Sequence, residues 1–143
     1  MATAKRVDPY PHYAFRIEID GITQAQFREC SGLGSAIDVV ENPVGGVGPV
    51  GKLPGRTKYP NIVLKWGLTD SAEMYAWHRA AVTGKVQRKH GSIVQLDPTG
   101  NEKVRWNFTD GWPSKWDGPT FNASSSEVSV ETLEIAHEGL ERA

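Results

Sequence analysis

The sequence predicts a mainly β protein: an antiparallel β-barrel or sandwich of seven to eight strands, with one flanking α-helix and a long inter-strand loop. Three observations carry this prediction. Segments in which apolar and polar residues alternate recur along the 143-residue chain, as half-buried strands require. One segment, 70–84, has helical spacing instead. A third segment, 42–60, is rich in glycine and proline and has no period. At this length the whole chain, 1–143, is expected to form a single domain.

The first part of the chain is predicted to be an arm followed by three strands. Residues 1–12 form a flexible arm, because two prolines block regular structure there. Residues 13–19 alternate clearly and form a half-buried strand. Asp20-Gly21 predicts a tight hairpin turn into a weaker return strand over 22–29. A third strand follows over 36–41.

The segment 42–60 is the most unusual in composition, with five glycines and four prolines. A connection of this length without regular structure is rare inside a compact domain and usually indicates function or disorder. Neither flanking part is complete alone, so a linker between two domains is disfavoured. We expect an extended excursion from a hairpin that docks against something else.

The following strand and helix have the clearest periodicities. The strand places four apolar residues on one face: Ile62, Leu64, Trp66 and Leu68. Asp70 is predicted as the helix N-cap, and Glu73 three residues later completes a capping box. The apolar helix face is predicted to comprise Met74, Trp77, Ala81 and Val82. Gly84 supplies the left-handed residue that ends such a helix.

The last part of the chain is predicted to return to strands. Two short strands, 86–90 and 92–96, precede a turn at 97–101. A clean alternation over 102–109 then predicts a strand that buries Trp106; Trp66 and Trp77 are likewise predicted core residues. A loop carrying Trp112 and Trp116 follows. The final strand, 127–137, changes the phase of its apolar residues, which predicts a bulge.

Charge and cysteine content exclude several classes of protein. The net charge is −1 with 16 basic and 17 acidic residues, and no basic run offers a footprint for nucleic acid or an acidic membrane. The single cysteine, Cys30, excludes an internal disulfide and indicates a reducing compartment. The sequence contains neither a secretory signal nor an apolar run long enough to span a membrane. We therefore expect a soluble protein made in the cytoplasm, with no membrane insertion.

No catalytic constellation is found, and neither a cofactor nor a metal is expected. Residues 46–52 match most of a phosphate-binding loop, but Leu53 replaces the required hydroxyl residue and Pro54-Gly55 stand where the helix should begin. Cys30 has no nucleophile-elbow pattern around it. The four histidines lie on different elements without ligand spacing: His12, His78, His90 and His137. The loop aromatics instead favour a barrel-end or subunit contact.

Several blocks together resemble the tube proteins of contractile phage tails and related contractile injection systems. In order, the resemblant blocks are Asp8 to Ile22, Cys30 to Leu33, Lys52 to Ser71, Gly84 to Asp97, Trp106 to Trp116 and Leu133 to Arg142. The resemblance implies a structural subunit, not an enzyme. Such subunits form hexameric rings that stack into a rigid tube inside a contractile sheath. Implied partners are further copies of the chain, sheath, baseplate or spike and terminator proteins, and luminal cargo, either DNA or a protein effector.

The resemblance also implies roles for particular residues. The segment 42–60 becomes an inter-ring loop with these ring-stacking contacts: Gly45, Gly46, Lys52, Leu53, Pro54, Arg56 and Tyr59. Inter-subunit or barrel-end aromatics are Tyr10, Trp112 and Trp116. The particle would assemble in a bacterial or archaeal cytoplasm and be found as a virion tail or a released injection particle. The alternative is a β-barrel binding module, or a hydrolase with a site in the loops around Trp112 and Trp116.

Overall fold

The computed structural model describes residues 15–23, 26–42, 48, 50–124 and 129–143. These residues form nine strands and one helix. In chain order the elements are β1 (Phe15–Ile19), β2 (Glu29–Ser31), β3 (Ala36–Asn42), β4 (Gly51–Lys58), β5 (Ile62–Gly67), α1 (Glu73–Val82), β6 (Lys89–Leu96), β7 (Glu102–Asp117), β8 (Val130–Ala136) and β9 (Gly139–Arg142). The predicted mainly β fold with a single helix is confirmed.

Seven strands form one antiparallel sheet, and the other two form a separate hairpin. The sheet order is β1-β6-β7-β8-β5-β2, with β9 also paired to β7, while β3 pairs only with β4. The long strand β7 belongs to both halves of the sheet. Its first part pairs with β6 and β9, and its second part pairs with β8. Asp110, with a φ of 50°, lies near the junction of the two parts, and a bulge at 113–115 lies within the part that pairs with β8.

The core lies between the two halves of the sheet and beneath the helix. Its buried members come from five strands and α1: Ile17, Ile19, Ile62, Leu64, Trp66, Met74, Trp77, Ile93, Phe108, Leu133 and Ile135. The alternation predicted over 13–19 and 62–68 is confirmed for the described residues up to 67, since the odd residues of β1 and the even residues of β5 face this core. The prediction that Leu68 shares this buried face is wrong, because β5 ends at Gly67 and Leu68 is 56% exposed.

The predicted return strand over 22–29 is wrong in its described part. The turn forms, with Gly21 at a φ of 75° and the Ile22 amide donating to the Ile19 carbonyl. The chain then leaves β1, which pairs with β6 instead. Thr23 donates its amide and hydroxyl to the Glu73 carboxylate on α1. A short local alternation cannot identify a strand's partner, and here β1 pairs with residues 72 to 80 positions later in the chain.

The helix starts later than predicted, and Asp70 is not its N-cap. Ala72 occupies that position without a side-chain hydrogen bond. The Glu73 carboxylate accepts a hydrogen bond from Thr23, so it does not complete a capping box. The predicted end is confirmed: Gly84 has a φ of 90°, and the amides of Gly84 and Lys85 donate to the carbonyls of Ala81 and Ala80. On the predicted apolar face Met74 and Trp77 are buried, whereas Val82 is 58% exposed in the last turn.

The predicted loop around Trp112 and Trp116 is a strand. β7 continues through Gly111 and Pro113 to Asp117, because Pro113 sits at the bulge and the partner β8 pairs on either side of it. The bulge predicted in the last strand therefore lies in its neighbour, since β8 pairs with β5 in unbroken register. The two short strands predicted over 86–96 are one strand, β6.

Candidate assembly surface

The β3–β4 hairpin contains the most exposed strands of the described structure. All seven residues of β3 are exposed, as are seven of the eight in β4. The expectation that 42–60 lacks regular structure is wrong for 51–58, which pair with 36–42 in an antiparallel ladder. The bulge between Ile37 and Val39 and the free outer edge of β4 allow Pro54 to sit in this strand. The predicted excursion from a hairpin is thus itself a hairpin.

This hairpin exposes large apolar side chains to solvent. Val39 is 64% exposed, Ile37 57%, and Val40 and Leu53 each 49%. Val40 lies opposite Leu53 on one face, and Val39 lies opposite Pro54 on the other. A two-stranded sheet with no covered face is marginal in water on its own. The exposed cluster therefore indicates a surface that another protein chain covers.

The hairpin is tied firmly to the sheet at its root. The His137 ring lies between two backbone carbonyls, with Nε2 3.2 Å from the Pro60 oxygen and Nδ1 3.0 Å from the Gly139 oxygen. The ring of Tyr59 packs on the same histidine, with centroids 5.4 Å apart. On the β2 side, Gly32 has a φ of 89° and approaches the Asn61 backbone closely. The root is therefore held from both strands.

The structure brings part of the predicted contact set together. Lys52, Leu53, Pro54 and Arg56 all lie on β4, and Tyr59 lies at the root. Gly45, Gly46 and Tyr10 lie outside the described residues. Sequence reasoning missed Ile37, Val39 and Val40 on β3 as surface residues. The available signal was a strand with apolar residues at adjacent positions, which puts apolar side chains on both of its faces.

The two predicted contact tryptophans lie on β7. Trp116 packs against the core and meets the ring of Tyr75 edge-on, with centroids 4.9 Å apart. It therefore helps fix α1 against the sheet. Trp112 lies opposite Ala136 and is half-buried. Of the three predicted core tryptophans, Trp66 and Trp77 are buried, and Trp106 is only half-buried.

A network of ion pairs covers the outer face of the β1–β6–β7 part of the sheet. The Arg105 guanidinium binds Glu102 through two nitrogens and reaches Glu18 on β1 at 2.8 Å. Arg16 pairs with Glu18 at 3.2 Å. Hydrogen bonds from Arg105 are the largest cause that lowers the pKa of both Glu18 and Glu102, and the two carboxylates raise the pKa of Arg105.

Replacing Arg105 with glutamine is expected to lower the melting temperature by a few degrees at pH 7. Carboxylates whose folded pKa is lowered contribute stability above their ordinary pKa, 4.5, and lose it as the pH falls through the folded value. The gap between wild type and Arg105→Gln should therefore close below pH 4.5. Thermal unfolding between pH 3 and 8 measures this. Arg105→Lys, which keeps the charge but not the two-nitrogen contact, should lie between them; a gap independent of pH would contradict the argument.

The described residues offer little for catalysis or metal binding. Burial is the largest cause that raises the pKa of Cys30 to about 12, so its thiol stays protonated at neutral pH. No group of three histidine, cysteine, aspartate or glutamate side chains in the described ranges could hold a metal ion. Three histidines contact separate backbone groups: His78 and His90 contact Pro113 and Asp110 on β7, and His137 contacts Pro60 at the hairpin root. Nor is any helix within those ranges long and apolar enough to cross a bilayer.

The fold and the hairpin define a small β subunit whose most conspicuous surface is suited to other protein chains. The chain belongs to the family of the T4-like virus tail tube protein gp19, whose model matches residues 11–141. This is a family of structural tube proteins, not of enzymes. The predicted resemblance is thereby confirmed. No curated protein sequence matches the chain.

Solved structures of contractile injection systems contain similar chains. One, from the sheath/tube terminator of the extracellular contractile injection system PVC in the extended state, is 25% identical, with a TM-score of 0.87 over 96% of this chain and 98% of that one. A chain of the anti-feeding prophage tube terminating cap is 26% identical, with a TM-score of 0.85 over 99% and 95%. Hcp1 from Flavobacterium johnsoniae, at 19% identity and a TM-score of 0.58 over 91% and 94%, shares the fold.

Proposed function

We propose that this protein forms hexameric rings that stack into the rigid inner tube of a contractile tail or injection system. DNA or a protein effector passes through the lumen of that tube. The observation that carries the proposal is the β3–β4 hairpin, which exposes apolar side chains on both faces in a chain of the tail tube family. A subunit that worked alone would gain nothing from this arrangement, and a polymer needs it.

The physical properties of the chain support a polymer. Joining sheet edges between copies removes unpaired edge strands, which otherwise promote uncontrolled association. A contact that repeats head to tail generates an open filament unless a different protein caps it. The net charge of −1 lets many copies come together without strong mutual repulsion.

The proposed partners are the components of such a particle. The similar chains come from structures described as a sheath–tube complex, a baseplate, a sheath/tube terminator and a tube terminating cap. We infer that this chain likewise contacts sheath, baseplate or spike and terminator proteins. Synthesis and assembly would take place in a bacterial or archaeal cytoplasm, and the finished protein would reside in the virion tail or released particle.

Electron microscopy and mass measurement of the purified protein test this proposal. We expect six-membered rings with a central channel, and stacks of rings at higher concentration. Light scattering after size exclusion should give about six times the 15.7 kDa chain mass for the ring. A protein that stays monomeric at all concentrations, alone and with its baseplate, would overturn the proposal.

Shortening the hairpin tests the ring-stacking role given to its tip. Because Asn42 pairs with Gly51, residues 43–50 can be replaced by the dipeptide Asn-Gly, which closes a two-residue hairpin. We expect rings of normal mass that stack into markedly shorter tubes. Tube length in negative stain and the melting temperature are the measurements. Unchanged tube length would show that the tip does not stack rings, and an unfolded variant would show that it supports the fold.

The alternative, a binding module or hydrolase with a site around Trp112 and Trp116, loses its structural basis. That site needed a loop, and both residues lie on β7. Trp116 packs against the core and against Tyr75 on α1. No observation on the described residues favours this alternative.

A further inference from the structure

The half-buried ring of His137 lies between two groups that can only accept hydrogen bonds. Its Nδ1 lies 3.0 Å from the Gly139 carbonyl oxygen on β9, and its Nε2 lies 3.2 Å from the Pro60 carbonyl oxygen at the hairpin root. Each contact therefore needs a proton on the ring nitrogen that faces the oxygen. A neutral imidazole carries one N–H group, whereas an imidazolium carries two. Only the protonated ring donates to both carbonyls.

The aromatic neighbours of this ring also favour its cationic form. The ring of Tyr59 at the hairpin root and the ring of Phe108 on β7 lie with their centroids 5.4 and 6.1 Å from that of His137. Aromatic rings attract a cation at centroid distances of up to about 6 Å. The imidazole is thus surrounded by two carbonyl oxygens and two aromatic rings, all of which interact better with a positive charge.

The charged side chains on the elements around His137 are engaged elsewhere. Three ion pairs lie on β4, β8 and the segments next to them: Lys58–Asp38, Lys115–Glu134 and Arg88–Glu138. Among the described residues no carboxylate forms an ion pair with His137, including Asp110 on β7 and Glu141 on β9. The two carbonyl contacts, and not a neighbouring carboxylate, therefore determine what a second ring proton does.

The other two described histidines have different requirements. The Nδ1 atom of His78 lies 3.2 Å from one carbonyl oxygen, that of Pro113, and a neutral ring can make this contact. The Nδ1 atom of His90 accepts a hydrogen bond from the Asp110 amide at 3.3 Å, so protonation there would break the contact. Of the three described histidines, only His137 gains a backbone hydrogen bond when its ring becomes doubly protonated.

Loss of the second proton should open the contact at the hairpin root and keep the contact on β9. The contact of His137 with Gly139 is the shorter one, is partly buried and joins residues two positions apart. The contact with Pro60 is exposed and joins residues 77 positions apart. Proline has no N–H group, so its carbonyl is the only backbone group through which a hydrogen bond can hold Pro60.

We propose that His137 is a proton-dependent latch on the β3–β4 hairpin. With two ring protons it bridges β9 and the hairpin root; with one, it keeps the bond to Gly139 and releases Pro60. The hairpin is therefore held more tightly in mildly acidic solution, and this hold is lost as the pH rises through the range in which histidine titrates. The latch acts within one chain. An effect on contacts between stacked rings would follow from it, and that part rests on the proposed function.

Hydrogen exchange at the hairpin root, followed by mass spectrometry from about pH 5 to about pH 8, tests the latch. The wild type is compared with His137→Gln, whose side chain does not titrate. Both proteins have the same sequence over 56–62, so the ratio of their exchange rates there cancels the intrinsic effect of pH on exchange. We expect the variant to exchange about tenfold faster at the acidic end, the factor that corresponds to one hydrogen bond, and at nearly the wild-type rate at the basic end. A ratio that is constant across this range would overturn the latch.

His78→Gln is the matched control, because His78 contacts a single carbonyl away from the hairpin. Its exchange ratio over 56–62 should stay near one at every pH, and the same pH-dependent ratio in both variants would contradict a latch at His137.

The ¹⁵N spectrum of the histidine rings in the wild type gives a second measurement that needs no variant to fold. As the pH rises, the proton of His137 should leave Nε2 and remain on Nδ1. A proton that remains on Nε2 instead would keep the Pro60 contact in the neutral ring and would overturn the latch. Light scattering at each pH establishes that the compared samples are in one assembly state. A wild type that never forms rings would contradict the proposed function, and the exchange ratio within the chain would still decide the latch.

Discussion

Replacing both Val39 and Leu53 with aspartate is expected to abolish self-assembly and leave the monomer folded. Both side chains are about half exposed or more, and neither belongs to the core. The loss of two apolar anchors at an interface costs about 1–2 kcal/mol each, and burying the new carboxylates adds to this. Because 1.4 kcal/mol is a factor of ten, we expect assembly to weaken at least about 100-fold. Light scattering and negative-stain microscopy measure the assembly.

The matched control is Leu68→Asp with Phe121→Asp. These residues are 56% and 77% exposed, lie outside the hairpin, and give the same change in charge. The control should assemble like the wild type. Both double variants should keep their melting temperature within a few degrees, as surface substitutions usually do. Equal loss of assembly in the two proteins would show that charge, and not the hairpin, decides the outcome.

Replacing Gly32 with alanine is expected to prevent stable folding. Gly32 has a φ of 89°, and a Cβ atom there would lie 2.0 Å from the Asn61 carbonyl oxygen. The left-handed conformation alone costs an alanine about 1–2 kcal/mol. The clash with backbone adds more, because two strands meet at this point and neither can retreat without breaking its ladder. We expect a loss above about 4 kcal/mol in the free energy of unfolding, a large part of the usual 5–15 kcal/mol.

Gly34 provides a control two residues away. A Cβ there would make only an ordinary contact, 3.6 Å from the Pro60 ring. Gly34→Ala should therefore be close to neutral in urea unfolding followed by circular dichroism. If the free energy of unfolding of Gly32→Ala stayed within about 1 kcal/mol of the wild-type value, the close approach of Gly32 to the Asn61 backbone would be wrong.

The parts of the fold that sequence predicts well are those with a strong local period. Ile17 and Ile19, and then Ile62, Leu64 and Trp66, face the core as their alternation predicts. The end of the helix is also local, since Gly84 needs only its own backbone conformation and the last turn. Such features depend on neighbours within a few residues.

The features that sequence did not predict depend on contacts far along the chain. Glu73 looked like half of a capping box, but its carboxylate is bound by Thr23, 50 residues earlier. Glycine and proline made 51–58 look irregular, and pairing with β3 overrides that preference. For the same reason Trp112 seemed to lie in a loop, although β8 extends the strand through it.

The candidate surface could be predicted only in part. The family resemblance and the composition of 42–60 singled out a segment that includes β4 of the exposed β3–β4 hairpin, but not its strand structure. The segment 36–41 was predicted to be a strand, but nothing in its pattern indicated that its apolar residues are exposed. Their exposure follows from the separation of the β3–β4 sheet from the other seven strands, which no local pattern reveals.

The shared strand β7 has a mechanical consequence. Because one unbroken backbone runs through both halves of the sheet, stress applied to one half reaches the other through peptide bonds as well as through the core packed between them. The halves cannot slide apart without shearing hydrogen bonds to β6, β8 and β9 together. The subunit should therefore respond to force as a single stiff body. In a tube driven against a barrier, fracture would begin at the seams between subunits, before any one of them unravelled.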